Sequence, residues 1–137
     1  VSIVQTQTTS FKAELYQAVH NLTTDTLKMA LYTGNANLNA DTTQYTTSNE
    51  VSGGGYAAGG VVLTGVTINT SGYTAYVNFN NVQFSANVTA RCALIYNASK
   101  SNKSIAVLDF GSDKTSSNFT VVMPTNTATS ALIRSSN

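Results

Sequence analysis

Apolar residues change their spacing along this chain, and the change separates a helical start from a longer strand-forming remainder. Phe11, Leu15, Val19 and Leu22 recur at intervals of four, four and three, which puts them on one face of a helix. Thr9 or Ser10 can cap its start, and Glu14 lies toward the positive end of its dipole. The spacing predicts one amphipathic helix over residues 10–22. His20 falls at the end of that pattern, too far from Glu14 for a direct i, i+4 contact, and is expected at the surface or the helix terminus.

From Leu27 the period is two. Leu27, Met29 and Leu31 alternate with Thr26, Lys28 and Ala30, which predicts a strand over 26–33 with one buried face, closed by Gly34-Asn35. Five further strand-like runs follow residue 60: VVLTGVTIN, YTAYVNFN, VTARCALIYN, SIAVLDF and NFTVVMP. Turns rich in Gly, Ser and Asn separate them, so antiparallel neighbours are expected. Tyr73, Ala75, Val77 and Phe79 form one face of their run. Ile105, Val107 and Asp109 oppose Ala106, Leu108 and Phe110, so that run is apolar on both sides until its end, as a central strand would be. Cys92 sits in an alternating apolar stretch and reads as a core residue, and Ala131-Leu132-Ile133 reads as a last, edge strand.

Two segments stand outside this pattern. Residues 35–60 show little periodicity and hold five glycines, yet carry Leu38, Tyr45, Val51 and Tyr56; a loop this long in a compact domain is usually functional or disordered. The N-terminal arm, residues 1–9, carries Val1, Ile3 and Val4 with no evident place in a sandwich. One helix followed by about seven strands, without βα alternation, predicts a single mainly β domain over 1–137. The expected architecture is a two-layer antiparallel β-sandwich, jelly-roll or immunoglobulin-like, with one N-terminal α-helix.

Composition narrows the function. Only 9% of residues are charged, against roughly 25% in an ordinary chain, so the solvated faces must be polar without charge. Twenty-one Thr, 15 Ser and 15 Asn supply them; Thr favours strands, and Ser and Asn favour turns. The net charge is +1 and the basic residues are scattered from Lys12 to Arg134, so no patch for neutralising phosphates forms and no nucleic-acid partner is expected. No run approaches about 18 apolar residues and no leader pattern opens the chain, so no membrane partner is expected and folding in a cytoplasm is. The Asn-x-Ser/Thr triplets at Asn21, Asn69, Asn87, Asn97 and Asn118 are read as chance products of this composition.

Candidate chemistry is thin. One His and one Cys supply neither a zinc set nor an intramolecular disulfide. Asp109-Phe110-Gly111 matches a kinase magnesium motif without its companions and reads as a strand end entering a turn. Asp109 and Asp113 read as turn caps rather than calcium ligands. The segment Gly53–Gly60 lacks the Lys-Ser/Thr of a phosphate loop, and its glycines are expected to permit positive φ and close chain approach. No serine lies in Gly-x-Ser-x-Gly. No catalytic residue, metal or cofactor is expected; an enzyme would need Asp25, His20 and Asp109 to converge in a pocket.

Three strings carry a likeness to known proteins: SFKAELYQAVHNL at 10–22, TLKMALYTGNANLNADTTQYTTSNEVSGGGYAAGG at 26–60, and ARCALIYNASKSNKSIAVLDFGSDKTSSNFTVVMP at 90–124. Together they resemble a family of small virion proteins of tailed bacteriophages, with departures from its pattern at Gly54, where that loop often carries Thr, and at Cys92 within the strand. The resemblance implies a head decoration or cement protein: a β-sandwich clamped on the capsid surface of the virion and made in the bacterial host cytoplasm. Its partners would be the major capsid protein and itself, as a homo-oligomer with a trimer favoured. Since Tyr is enriched in interface cores, the candidate interface residues are Val1, Ile3 and Val4 of the arm and Tyr45, Glu50, Val51 and Tyr56 of the loop. The competing expectation for Val51 and Tyr56 is that they pack the loop onto its own domain. The alternative function is a tail- or fibre-associated receptor- or glycan-binding module, for which exposed Tyr and Asn are suited.

Overall fold

The computed structural model describes residues 2–136. Strands make up 44% and helix 6%, so the protein is mainly β, as its alternation predicts. Among the described residues one helix, α1 (Thr9–Tyr16), accompanies twelve strands: β1 (Ser2–Ile3), β2 (Thr6–Gln7), β3 (Leu27–Tyr32), β4 (Asn37–Leu38), β5 (Val61–Val62), β6 (Thr67–Ser71), β7 (Thr74–Asn78), β8 (Val82–Phe84), β9 (Val88–Asn97), β10 (Lys103–Ser116), β11 (Phe119–Val121) and β12 (Ile133–Ser135).

Five of these form the main sheet in the order β2-β10-β9-β3-β5, antiparallel throughout. Its centre is set by the longest apolar runs, with Leu94 opposite Val107 on one side and Ala30 on the other. The second layer consists of the sheets β12-β7-β6 and β11-β8. Leu27, Met29 and Leu31 of β3 and Ala93 and Ile95 of β9 point into the space between the layers. There they join Val77, Phe79, Phe84, Phe119 and Val121, with Phe11 of α1 sealing the same core. This is a sandwich with one helix.

The main sheet is buried on its other face as well. Ala30, Tyr32, Cys92, Leu94, Tyr96 and Val107 form a second apolar cluster that also holds Ala36 and Leu38, with Ile3 and Tyr45 packed against it. The strand expected at 26–33 with one buried face therefore has two, because residues 35–50 fold over it. Burying Leu38, 1% exposed, is worth about 1.5–3 kcal/mol, which helps to fix a segment with little regular structure. Burial also pushes the Cys92 thiol up to about 11, as suits a core residue.

Three expectations change. The N-terminal arm is woven into the fold: β1 runs parallel to β4 with Ile3 opposite Leu38, and β2 extends the main sheet with Gln7 opposite Ala106. Two-residue strands are too short to show alternation, which is why the sequence pattern misses them. The helix starts one residue after Thr8, whose Oγ1 accepts from Phe11 N, and it stops at Tyr16 instead of 22. Ala18 takes the left-handed conformation (φ 59°), Ala18 N donates to Leu15 O and Val19 N donates to Glu14 O, a Schellman stop without the glycine that would announce it. The run SIAVLDF does not end in a turn at Gly111; β10 continues to Ser116 through an irregularity in which residues 110–113 face the single residue Arg91.

Candidate functional site

That irregularity shapes a groove of about 670 Å³ between β10, β11 and the segment that follows. Phe119, Val121 and Met123 alternate inward along an extended chain, while Thr120, Val122 and Pro124 face outward. Leu108, Phe119, Val121 and Met123 belong to the main core and also line the groove, so it opens onto the sandwich interior. Asp109 holds the irregularity: its Oδ1 accepts from Gly111 N at 2.8 Å and from Arg91 Nε at 3.2 Å, while Gly111 supplies the positive φ of 84°. Phe110 then stacks at a tilt on Phe119, with ring centroids 5.8 Å apart. At the rim, Val122 is 72% exposed and Lys114 is open to solvent. The groove presents an apolar floor with a cation beside it, which suits binding an apolar chain.

The loop residues singled out in the sequence lie elsewhere and face inward. Val51 is buried in the main core, and Val51 N donates to Leu31 O. Glu50 collects three hydrogen bonds: Tyr45 Oη donates to Oε1 at 2.5 Å, while Tyr56 Oη at 2.5 Å and Gly59 N at 2.8 Å donate to Oε2. Tyr96 Oη donates to Gly59 O, and Tyr45 stacks on Tyr96 with centroids 4.7 Å apart. Burial, reinforced by the Glu50 carboxylate, raises the pKa of Tyr45 and Tyr56 well above the ordinary phenol value, so these phenols remain donors. The glycines allow the approach: a Cβ on Gly60, at φ 83°, would sit 1.8 Å from Met29 O. These contacts fasten the loop to its own domain. Of the arm residues, Ile3 is half-buried, Val4 is 49% exposed, and Val1 lies outside the described residues.

His20 also departs from expectation. Because the chain turns at Ala18, the His20 side chain is fully buried and its Nε2 lies 2.8 Å from Glu14 Oε1. Its Nδ1 lies 3.0 Å from Asn97 Nδ2, which also donates to Asp25 Oδ2 at 2.8 Å, and Asn97 Oδ1 accepts from Ser99 N. With that amide orientation fixed, Nδ1 is an acceptor and Nε2 carries the proton to Glu14. Burial works against the charge on Asp25, but Asn21 N–H, the Asn97 amide and the Lys100 ammonium together hold its carboxyl below the usual carboxylate range. His20 and Asp25 thus meet through Asn97, while Asp109 lies at the groove, bound to Arg91. The chain ties α1, the turn after it and the end of β9 together.

Comparison with known protein families, with curated proteins and with solved structures finds no match to this chain. The apolar run NFTVVMP is legible in the sequence, but the groove is not, because it depends on β10 and β11 lying in different layers. Val122 is the one local signal, as the middle of three consecutive apolar residues where alternation calls for a polar one.

Proposed function

We propose that this chain is a protein-binding β-sandwich that works by adhesion rather than turnover. More particularly, we propose that it is a decoration or cement protein of a bacteriophage head, seated between capsid subunits and acting as a homo-oligomer. The observation that carries the binding role is the apolar groove between β10 and β11, rimmed by exposed Val122 and by Lys114. Apolar surface of this kind gains free energy when a partner removes it from water. The virion role is supported by the likeness of the strings at 10–22, 26–60 and 90–124, which form α1, β3, the Glu50 latch, β9, β10 and β11.

Copy number tests the placement. A cement protein follows the lattice and is present in roughly hundreds of copies per particle, a consequence of shell symmetry. Quantitative densitometry of purified particles against the major shell band should give a ratio of that order. A handful of copies would instead support the tail or fibre reading, which Tyr73, 92% exposed at the β6–β7 turn, favours as a surface aromatic.

A further inference from the structure

The walls of the groove are strand edges. β10 is paired with β9 along one side, but along the other it meets β2 only at Ala106 and Val107. From Leu108 to Ser116 that side has no strand neighbour among the described residues; Asp109 N turns instead to the Gln5 side chain. β11 pairs with β8 and has no strand on its other side among the described residues. Unpaired edges are templates for another strand. Between these two edges the groove is lined by Leu108, Phe119, Val121 and Met123, and the period of two along Phe119–Met123 is that of an extended segment laid beside it.

Charge adds a direction. Lys114 lines the groove and has no carboxylate within ion-pair distance among the described residues, whereas Asp109, in the same groove, is held by Arg91. The groove therefore offers one unengaged cation beside an apolar floor and free backbone donors and acceptors.

We propose that this groove takes up an extended segment of the shell protein as an added β-strand, apolar at alternate positions and carrying a carboxylate that meets Lys114. The inference rests on the reading of the chain as a shell-binding protein and specifies the mode of binding. A helix or a flat patch of partner surface would leave the strand edges unpaired, and pairing with a second copy of this chain is separated from it by the concentration dependence below.

Hydrogen exchange read by mass spectrometry, on the free chain and on the chain bound to purified shells lacking it, tests this. Binding should slow exchange of amides within 108–121 by about tenfold or more. Val122→Asp and Lys114→Glu, both at exposed positions, should each weaken attachment by about tenfold, and Lys114→Arg should restore it. Attachment with unchanged exchange at 108–121 overturns strand addition while leaving shell binding intact. Slowed exchange at those amides in the free chain as its concentration rises, with no shell present, overturns it in favour of self-association. Failure of the unaltered chain to attach to shells overturns the shell-binding reading and this inference with it.

Discussion

The Tyr56 hydroxyl lies 2.5 Å from Glu50 Oε2 and 3.0 Å from Leu31 N, donating to the first and accepting from the second. One phenol thus joins the long loop to the edge of β3 just beyond the two residues that β5 covers, Lys28 and Met29. Tyr56→Phe removes both bonds and leaves the Leu31 amide without its acceptor in a buried setting. The expected loss is about 1–3 kcal/mol, measured as a lower urea midpoint with an unchanged slope. Tyr73→Phe, at a 92% exposed ring, should leave the midpoint where it was. Equal midpoints for both variants would mean that the latch does not hold the loop.

The same cluster makes alkaline stability a readable property. Burial raises the pKa of Tyr32, Tyr45, Tyr56 and Tyr96, with the nearby Glu50 carboxylate adding to the effect in each. A group whose proton is held more tightly when folded stabilises the fold fully below its unfolded value, about 10 for tyrosine. That contribution is lost as pH climbs from there toward the folded values. Stability should therefore fall steeply above about pH 10. Tyrosinate absorbance should show these four phenols ionising together with the loss of structure rather than before it. Their smooth titration in a chain that stays folded would contradict the buried donor network.

Much of this architecture is legible in the chain, and what is hidden has physical causes. The apolar runs that become β3, β9 and β10 are legible as strands, and the two-sided apolar character of Ile105–Phe110 marks a central one, but the cover on the second face of β3 and β9 is not legible. The cover comes from Ile3, Leu38 and Tyr45, apolar residues with no strand pattern around them, whose destination depends on long-range packing. Glu50 reads as an interface residue because it sits among the tyrosines of the long Gly/Tyr loop. Its partners Tyr45, Tyr56 and Gly59 lie five to nine residues away, at spacings that no regular element would bring together. The groove needed the least visible fact, that β10 and β11 are joined by a short link yet lie in different sheets.

The helix boundary yields a stabilising substitution. Ala18 holds the left-handed stop of α1 at φ 59°, a conformation that costs a residue with a Cβ about 1–2 kcal/mol. Ala18→Gly removes that strain and returns part of the gain through the greater freedom of glycine in the unfolded chain. The net expectation is a gain of about 0.5–1 kcal/mol, seen as a melting temperature higher by a few degrees. A lower melting temperature would mean that the Ala18 methyl, beside the groove that α1 forms with Ile68 and Ile133, contributes more by packing than it costs by strain.

Two neighbouring glycines separate backbone conformation from space. Gly53 and Gly54 both have positive φ, 82° and 62°, but a Cβ on Gly53 would meet nothing within 4 Å, whereas one on Gly54 would lie 1.8 Å from Asn87 O. That carbonyl cannot retreat freely, because Asn87 N donates to Gly54 O at 2.8 Å and β9 begins at the next residue. Gly53→Ala should cost about 1–2 kcal/mol, the conformational term alone. Gly54→Ala adds an overlap with backbone and should cost about 3 kcal/mol or more. Thr at this position should be worse still, since a branched Cβ is poorly tolerated at positive φ. Chemical denaturation of the three variants gives the order directly. If Gly54→Ala is no more destabilising than Gly53→Ala, the loop can slide away from Asn87, and its close seat on β9 is a preference rather than a constraint.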